Sequence, residues 1–142
     1  MPSRITVIVL GMLLLIGCTT SGATERTGRV NVHEEVERIK GMEISHVDPA
    51  TVPDGEYFGE SPFTERYLYR VKVTVKGGRM VDIDVLEDGT GNEYAEKGLG
   101  VIERILKEQS PDVDVVTGAT VTSKSLMKCV ERALKGGRGS GE

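Results

Sequence analysis

The chain has 142 residues and a mass of 15.4 kDa, which leaves room for one modest domain. Its formal net charge is -4, and acidic and basic residues are interspersed, so the sequence lacks the basic field typical of nucleic-acid binding. Only 4% of the residues are aromatic, which leaves few rings to stack on bases. The two cysteines form no CxxC pair and no cluster with His33 or His46, which argues against a zinc site.

The N-terminal segment has the pattern of a lipoprotein signal. Residues 5–16 form an apolar run of about a dozen residues, which is short for a membrane span but suits the hydrophobic region of a signal peptide. Leu15-Ile16-Gly17-Cys18 resembles the lipobox of bacterial lipoproteins, in which cleavage leaves a lipidated cysteine. The resemblance implies a signal peptide at residues 1–17 and a stable acyl anchor, such as palmitate, on Cys18. We therefore expect a membrane-anchored, extracytoplasmic protein.

A polar segment follows the anchor. Residues 19–29 are mostly Thr, Ser, Gly and Glu, a composition that buries little apolar surface and is typical of a flexible tether. Val32, Val36 and Ile39 then predict a short amphipathic helix that ends at Gly41. We assign residues 18–49 to this lipidated tether, and the sequence leaves open whether its helix docks on the domain.

A hairpin gives the strongest strand pattern. Apolar residues alternate with polar ones at Val71, Val73 and Val75 before Gly77-Gly78, and at Val81, Ile83 and Val85 after it. A two-residue loop would place the apolar faces of the two strands out of step. We therefore predict a three-residue loop, with Val73 opposite Val81 and Val71 opposite Ile83. Residues 54–60 predict a turn and a short strand ahead of the hairpin.

Two helices are predicted in the C-terminal third. The first extends from a cap at Asn92 through Gln109. Its apolar stripe is Ala95, Leu99, Ile102 and Leu106. Residues 113–116 predict a short strand-like segment. The second helix begins at Thr122 or Ser123 and ends at Lys135. Its apolar face is Leu126, Cys129, Val130, Ala133 and Leu134.

These elements define an α+β fold class, in which a small antiparallel β-sheet, with its hairpin at about residues 68–86, packs against two C-terminal helices. The folded domain covers residues 50–136, and residues 137–142 form a disordered-looking tail. Cys129 lies on an apolar helix face, so we predict a small buried hydrophobe rather than a redox thiol.

The turn into the last helix carries the strongest functional signal. Thr117-Gly118-Ala119-Thr120-Val121-Thr122-Ser123 places four hydroxyls and one glycine between an apolar segment and a helix. Such a turn directs backbone N–H groups and the positive end of the helix dipole outward, so its default ligand is an anion such as a phosphate. The alternative is that Thr117 and Ser123 serve only as turn and capping residues.

The same turn resembles the Ser/Thr-Gly-Ala-Thr/Ser-x-Thr/Ser motif of the FMN-binding domain family, which is similar to the flavoprotein subunits of sodium-pumping NADH:quinone oxidoreductases and Rnf-type complexes. Residues 54–59, Asp-Gly-Glu-Tyr-Phe-Gly, resemble the opening of that family, and the likeness covers about residues 50–136. It implies covalent FMN on Thr122 through a phosphoester. The expected cofactor-binding residues around it are Thr117, Gly118, Ala119, Thr120 and Ser123. It implies no catalytic residue and no metal ligand in this chain.

The resemblance also implies partners. An FAD:protein FMN transferase that depends on Mg²⁺ would attach the FMN and release AMP, because the chain offers no obvious base beside the turn. The protein would then carry electrons between a membrane redox donor and an extracytoplasmic acceptor, and it is expected to be a carrier rather than a stand-alone enzyme. Two alternatives stay open: noncovalent FMN, and a flavin-free lipoprotein with an interaction or envelope-structural role.

Overall fold

The computed structural model of the protein describes residues 31–63, 67–89 and 93–136. Its elements are α1 (Val32–Lys40), a short 3-10 helix (Pro49–Thr51), β1 (Gly55–Glu60), β2 (Tyr69–Lys76), β3 (Arg79–Asp88), α2 (Glu93–Glu108) and α3 (Thr120–Leu134). The strands form one antiparallel sheet in the order β1-β2-β3. Helix α3 packs on β1 and β2, and α2 packs on α3 and β3. The predicted α+β class, with two C-terminal helices against a small sheet, is confirmed.

Several predicted features lie outside the described residues. These are the signal peptide, Cys18 and most of the tether in residues 1–30, the helix cap at Asn92, and the tail at residues 137–142. Within the described ranges, none of the helices combines the length and the apolar composition that crossing a membrane requires.

The core lies between the sheet and α3. The central strand β2 alternates strictly, and its inward side chains Val71, Val73 and Val75 are at most 1% exposed. Full burial of a valine stabilises the fold by roughly 1.5–3 kcal/mol. The strand β1 comes even closer to α3, because a Cβ on Gly59 would overlap the carbonyl of Cys129. Glycine is therefore required there for the sheet and helix to pack.

The hairpin between β2 and β3 is tighter than predicted. Gly77 and Gly78 form a two-residue loop with φ angles of 60° and 75°, which pairs Lys76 with Arg79 and Val75 with Met80. The predicted three-residue loop, with Val73 opposite Val81, is therefore wrong. The register is corrected within β3, not in the loop.

Two bulges in β3 bring the apolar faces into step. Val81 is the extra residue of the first bulge and Leu86 the extra residue of the second, and these side chains are 53% and 49% exposed. After the first bulge Val73 pairs with Ile83. The two bulges therefore realign the strands, a role that the sequence analysis assigned to a longer loop, and each leaves one apolar side chain in solvent.

The apolar stripe of α2 is rotated from its predicted position. Among the described side chains the helix buries Ala95, Gly98, Val101 and Ile105, whereas Leu99, predicted to face the core, is 36% exposed. The rotation turns Gly98 toward α3, where a Cβ would overlap the side chain of Thr122. Ala95 is buried as predicted, and Ile102 and Leu106 are partly buried against the core. A contact that depends on a missing side chain leaves no trace in a hydrophobic pattern, so the rotation toward Gly98 was not predicted.

Residues 113–116 are not a strand, contrary to the prediction. They follow Pro111 as an irregular segment that joins the sheet at none of its described pairings. Its backbone is bound instead by Arg104, whose Nη1 donates to the carbonyls of Asp114 at 3.0 Å and Val115 at 2.9 Å. Arg104 of α2 thus satisfies backbone carbonyls that a neighbouring strand would otherwise have paired.

The short N-terminal helix docks on the domain. α1 covers the predicted residues and ends before Gly41, and the Asn31 side chain caps it by accepting from the N–H of His33 at 3.1 Å. The helix packs against α3, and Ile39 is fully buried. The sequence left this docking open because a narrow apolar stripe does not identify its partner.

A buried carboxylate on α3 holds the segment that follows α1. Glu131 is 3% exposed, and its carboxylate accepts from Lys128 at 2.9 Å, from Lys135 at 2.6 Å and from the N–H of Ser45 at 3.2 Å. Lys124 adds a bond to the carbonyl of Met42 at 2.8 Å. These contacts bind residues 42–45 along the length of α3.

Glu131 should make the stability of the protein sensitive to acid. Burial opposes its ionisation, but the hydrogen bonds from Lys135, Lys128 and Ser45 outweigh that effect and hold the pKa of Glu131 below its usual value. Its contribution is therefore present above the unfolded pKa of about 4.3 and is lost as the pH falls through the folded pKa. Urea denaturation at neutral pH should show Glu131→Gln to be less stable than the wild type by about 1.5–3 kcal/mol.

The difference between the two proteins should shrink when the pH is lowered from neutral to below the folded pKa of Glu131, because the wild-type carboxylate then becomes protonated. Glu103→Gln, at an exposed position of α2, is the matched control and should follow the wild type at both pH values. An undiminished cost of Glu131→Gln at low pH would contradict this assignment of the ionised carboxylate.

Candidate functional site

The candidate site is the turn that leads into α3. The N–H of Ala119 donates to the carbonyl of Val116 at 3.0 Å, and Gly118 adopts the left-handed φ of 80°. A Cβ placed on Gly118 would meet nothing within 4 Å, so the turn faces open space. The helix begins at Thr120, two residues before the earliest predicted start.

The first turn of α3 presents free backbone donors. The residue at its N-cap is Ala119, whose side chain makes no capping bond, and the first helical bond joins the N–H of Ser123 to the carbonyl of Ala119 at 2.9 Å. The N–H groups of residues 120–122 therefore have no acceptor within the helix. Together with the positive end of the helix dipole, they favour an anion in front of the turn.

The predicted hydroxyls occupy different environments. Thr117 is exposed and Thr120 is partly exposed, whereas Ser123 is fully buried. The Ser123 hydroxyl accepts from the N–H of Val116 at 3.1 Å and so braces the turn. Of the two residues weighed as purely structural, Ser123 has a clear structural contact and Thr117 is left facing solvent.

Thr122 lies where β2, α2 and α3 meet. It is 4% exposed, and its Oγ1 is 3.2 Å from the hydroxyl of Tyr69. Its methyl group lies against Gly98, where a Cβ would overlap both Cγ2 and Cβ of the threonine. In this structure the expected acceptor oxygen is therefore covered by a tyrosine and by the backbone of a glycine.

Sequence reasoning missed both neighbours of Thr122. Tyr69 is one more inward position of an alternating strand, and Gly98 is a glycine within a predicted helix, so neither carries a local signal of the site. The backbone of Tyr69 is held on both sides: its N–H donates to Ser61 Oγ at 2.8 Å, and its carbonyl accepts from Cys129 Sγ at 3.2 Å. Burial raises the pKa of the Tyr69 phenol above its ordinary value, and the bond with Thr122 partly offsets that effect.

Cys129 is buried, as predicted. Burial raises the pKa of its thiol to about 12, so the thiol stays protonated at neutral pH and donates to the Tyr69 carbonyl. A protonated buried thiol is a poor nucleophile. Cys129 thus supports the strand beside the site and has the environment of a structural cysteine.

One buried hydroxyl in the described part of the chain has no hydrogen-bond partner. It belongs to Ser125, which is fully buried in α3 three residues after Thr122. Residues three apart are neighbours on a helix surface, so this hydroxyl lies close to the acceptor position. Buried polar groups normally have partners, so an unpaired one beside Thr122 is what a site with a missing polar ligand would show.

These features fit the phosphate end of a flavin mononucleotide. The donors of residues 120–122 and the open turn at Gly118 suit a phosphate, and Ser125 offers a further hydroxyl. The fit has one condition. Because Gly98 covers Thr122, a group bound to Oγ1 requires the two helices to separate locally at that contact.

The fold and the turn thus define a small α+β ligand-binding domain with an anion site at a helix N-terminus. Comparison with known families matches residues 69–135 to the FMN-binding domain, from the start of β2 to the end of α3. Residues 69–135 thus match the FMN-binding domain family, and this match indicates a flavin-binding domain with FMN as its cofactor.

Two curated proteins are similar over more of the chain. One is an uncharacterized protein of Treponema pallidum (strain Nichols), 30% identical over 128 residues, which are 89% of this chain and 32% of that protein. The other is an inosine-5'-monophosphate dehydrogenase of Vigna unguiculata, 35% identical over an alignment of 128 residues that covers 84% of this chain and 24% of that protein. This chain spans a third or less of the length of each relative.

The contact between Gly98 and Thr122 can be tested by substitution. Gly98→Ala should destabilise the protein by about 1–3 kcal/mol, because the new methyl group forces α2 away from α3. Gly100→Ala is the matched control, since its Cβ would lie 3.6 Å from Val116 Cγ2, an ordinary contact. That control should gain about 1 kcal/mol from helix propensity. Equal stabilities of the two variants in urea denaturation would show that the helices do not meet at Gly98.

Proposed function

We propose that this protein is a membrane-anchored, extracytoplasmic flavoprotein that carries FMN covalently on Thr122 and serves as an electron-transfer carrier. One observation carries the proposal: within the FMN-binding domain, a threonine hydroxyl lies in the first turn of a helix whose leading N–H groups have no intrahelical acceptor. The hydroxyl supplies a point of attachment, and the N–H groups supply a phosphate site. Bound FMN supplies one- and two-electron chemistry.

Attachment requires a phosphoryl transfer onto Thr122. A bond forms between its Oγ1 and the FMN phosphorus of FAD, the phosphoanhydride bond breaks, AMP leaves, and the hydroxyl proton is removed. The described residues contain no group of three or more His, Cys, Asp or Glu side chains arranged to hold a metal ion. We therefore assign activation of the hydroxyl to a separate FAD:protein FMN transferase that depends on Mg²⁺.

The covered position of Thr122 adds a requirement to this transfer. The hydrogen bond to Tyr69 must break, and the backbone of Gly98 must move, before the transferase can reach Oγ1. The hydrogen bond to Tyr69 contributes only about 0.5–1.5 kcal/mol net, and the packing contact at Gly98 must open locally as well.

We propose a carrier rather than an enzyme with its own small substrate. A surface depression in the described part of the chain is lined by Phe58, Gly59, Glu60, Arg132, Lys135 and Gly136, at the C-terminal end of α3. Thr122 is at the opposite end of this 15-residue helix, about 15–20 Å from Arg132 and Lys135 at the helical rise per residue. We propose that a membrane donor and an extracytoplasmic acceptor exchange electrons with the flavin directly. A covalent bond keeps the flavin in place outside the cytoplasm.

The attachment residue is tested by intact mass after co-expression with the transferase. The wild type and Thr120→Ala should gain the mass of one covalent FMN and keep it after denaturation, whereas Thr122→Ala should gain none. Thr120 is the matched control because it lies in the same turn of α3 and is partly exposed.

Other outcomes point to the alternatives. If Thr122→Ala still gains the mass of covalent FMN and Thr120→Ala does not, the attachment site is Thr120. A yellow protein that loses its flavin on denaturation would indicate noncovalent FMN. A colourless wild type of unmodified mass would favour the flavin-free lipoprotein.

The anchor is tested at the two cysteines. In a host that processes lipoproteins, the wild type should incorporate labelled palmitate and require detergent for release from the membrane. Cys18→Ala should lose the label and no longer sediment with membranes. Cys129→Ala is the control, because Cys129 is buried in α3 and should not affect lipidation. A label retained by Cys18→Ala would overturn the proposed anchor.

A further inference from the structure

We propose that the hydroxyl of Tyr69 is a ligand of the phosphate of attached FMN, and so a positioning residue of the flavin site. The proposal rests on the proposed function, because it takes Thr122 as the attachment point. Tyr69 is far from the turn in sequence, since 53 residues separate it from Thr122. The fold brings it there: Tyr69 begins β2, which packs on α3, and its hydroxyl meets Thr122 in the first turn of that helix.

The geometry places the two hydroxyls within reach of one another. Tyr69 OH and Thr122 Oγ1 are 3.2 Å apart, and the two residues are each 4% exposed. Either oxygen can donate while both carry a proton. In the flavin-free protein one hydroxyl of the pair therefore donates to the other.

Esterification removes this choice of donor. The new bond between Oγ1 and phosphorus replaces the hydroxyl proton of Thr122, so that residue can no longer donate. The Tyr69 phenol then keeps the one proton of the pair and needs an acceptor, because a buried polar group without one is costly. The phosphorus is bonded to the atom Tyr69 already contacts, so its charged oxygens lie next to the phenol. A bond to a charged oxygen is stronger than one between neutral groups.

Two features keep the phenol in this role. Burial raises the pKa of the Tyr69 phenol, so the phenol remains a donor at neutral and mildly alkaline pH. The backbone of Tyr69 is also fixed independently of the flavin, by Ser61 at 2.8 Å and by Cys129 at 3.2 Å. The ring therefore keeps its place when Thr122 is modified, and the new phosphate meets a preorganised donor.

The test compares Tyr69→Phe with a tyrosine whose hydroxyl has another partner. Tyr57 of the neighbouring strand β1 is suitable, because its hydroxyl donates to the carbonyl of Pro53 at 2.6 Å. Full-length wild type, Tyr69→Phe and Tyr57→Phe are co-expressed with the transferase. Intact mass establishes the covalent FMN, and ³¹P NMR then reports on its phosphodiester.

We expect all three proteins to gain the covalent FMN. The phosphorus resonance of Tyr69→Phe should move away from that of the wild type by more than its line width, because the phosphate loses a donor. The resonance of Tyr57→Phe should coincide with the wild type. A purely structural role of Tyr69 predicts unchanged phosphorus resonances in both variants, and that result overturns the inference while leaving covalent FMN on Thr122 intact.

A wild type without covalent FMN would overturn the proposed function and this inference together, so the two failures are distinguishable. If Tyr69→Phe does not fold, a crystal structure of flavinylated wild type decides instead. A Tyr69 hydroxyl within hydrogen-bonding distance of a phosphate oxygen supports the inference. A hydroxyl bonded only to other protein groups overturns it.

Discussion

The close approach of α2 to α3 at Gly98 and Thr122 is the constraint on which the site depends. Because Gly98 has no side chain, the threonine methyl packs directly on the α2 backbone and the hydroxyl turns toward Tyr69 in the sheet. The same contact therefore fixes the spacing of the two C-terminal helices and the direction of the candidate acceptor oxygen. It also covers that oxygen, so the proposed attachment of flavin to Thr122 would require the two helices to separate locally.

The fold could be predicted wherever one side-chain pattern decides the outcome. The alternation along β2 and the stripe of α3 predicted their elements correctly. Prediction failed where two solutions satisfy the same pattern. A longer loop and a bulge at Val81 both realign the hairpin, and the choice depends on the left-handed conformations of Gly77 and Gly78. The orientation of α2 was not predicted for another reason. The close contact at Gly98 is possible only because glycine has no side chain, and a hydrophobic pattern does not record that.

The site was predictable in part for similar reasons. The turn before α3 carries its signal locally, in consecutive small and hydroxylated residues, so the sequence predicted a helix N-terminus suited to a phosphate. The identity of the cofactor came from resemblance to a family, and the match of residues 69–135 supports it. What surrounds Thr122 was not predictable, because Tyr69 and Gly98 are brought to it from a strand and another helix. The hydrogen bond between Glu131 and the backbone of Ser45 also joins residues far apart in sequence, so it was not predictable either.

The central claim is that Thr122 is the residue that bears the flavin, and peptide mapping tests it most directly. Trypsin cuts after Lys107 and Lys124, so residues 108–124 form one peptide that contains every hydroxyl of the turn. Protein isolated from cells that also produce the transferase is digested, and the yellow peptide is fragmented by a method that preserves phosphoesters. We expect every fragment that contains Thr122 to carry the mass of FMN, and every fragment that ends before Thr122 to lack it. An FMN mass on Thr117 or Thr120, or a 108–124 peptide that carries no flavin, would contradict the account.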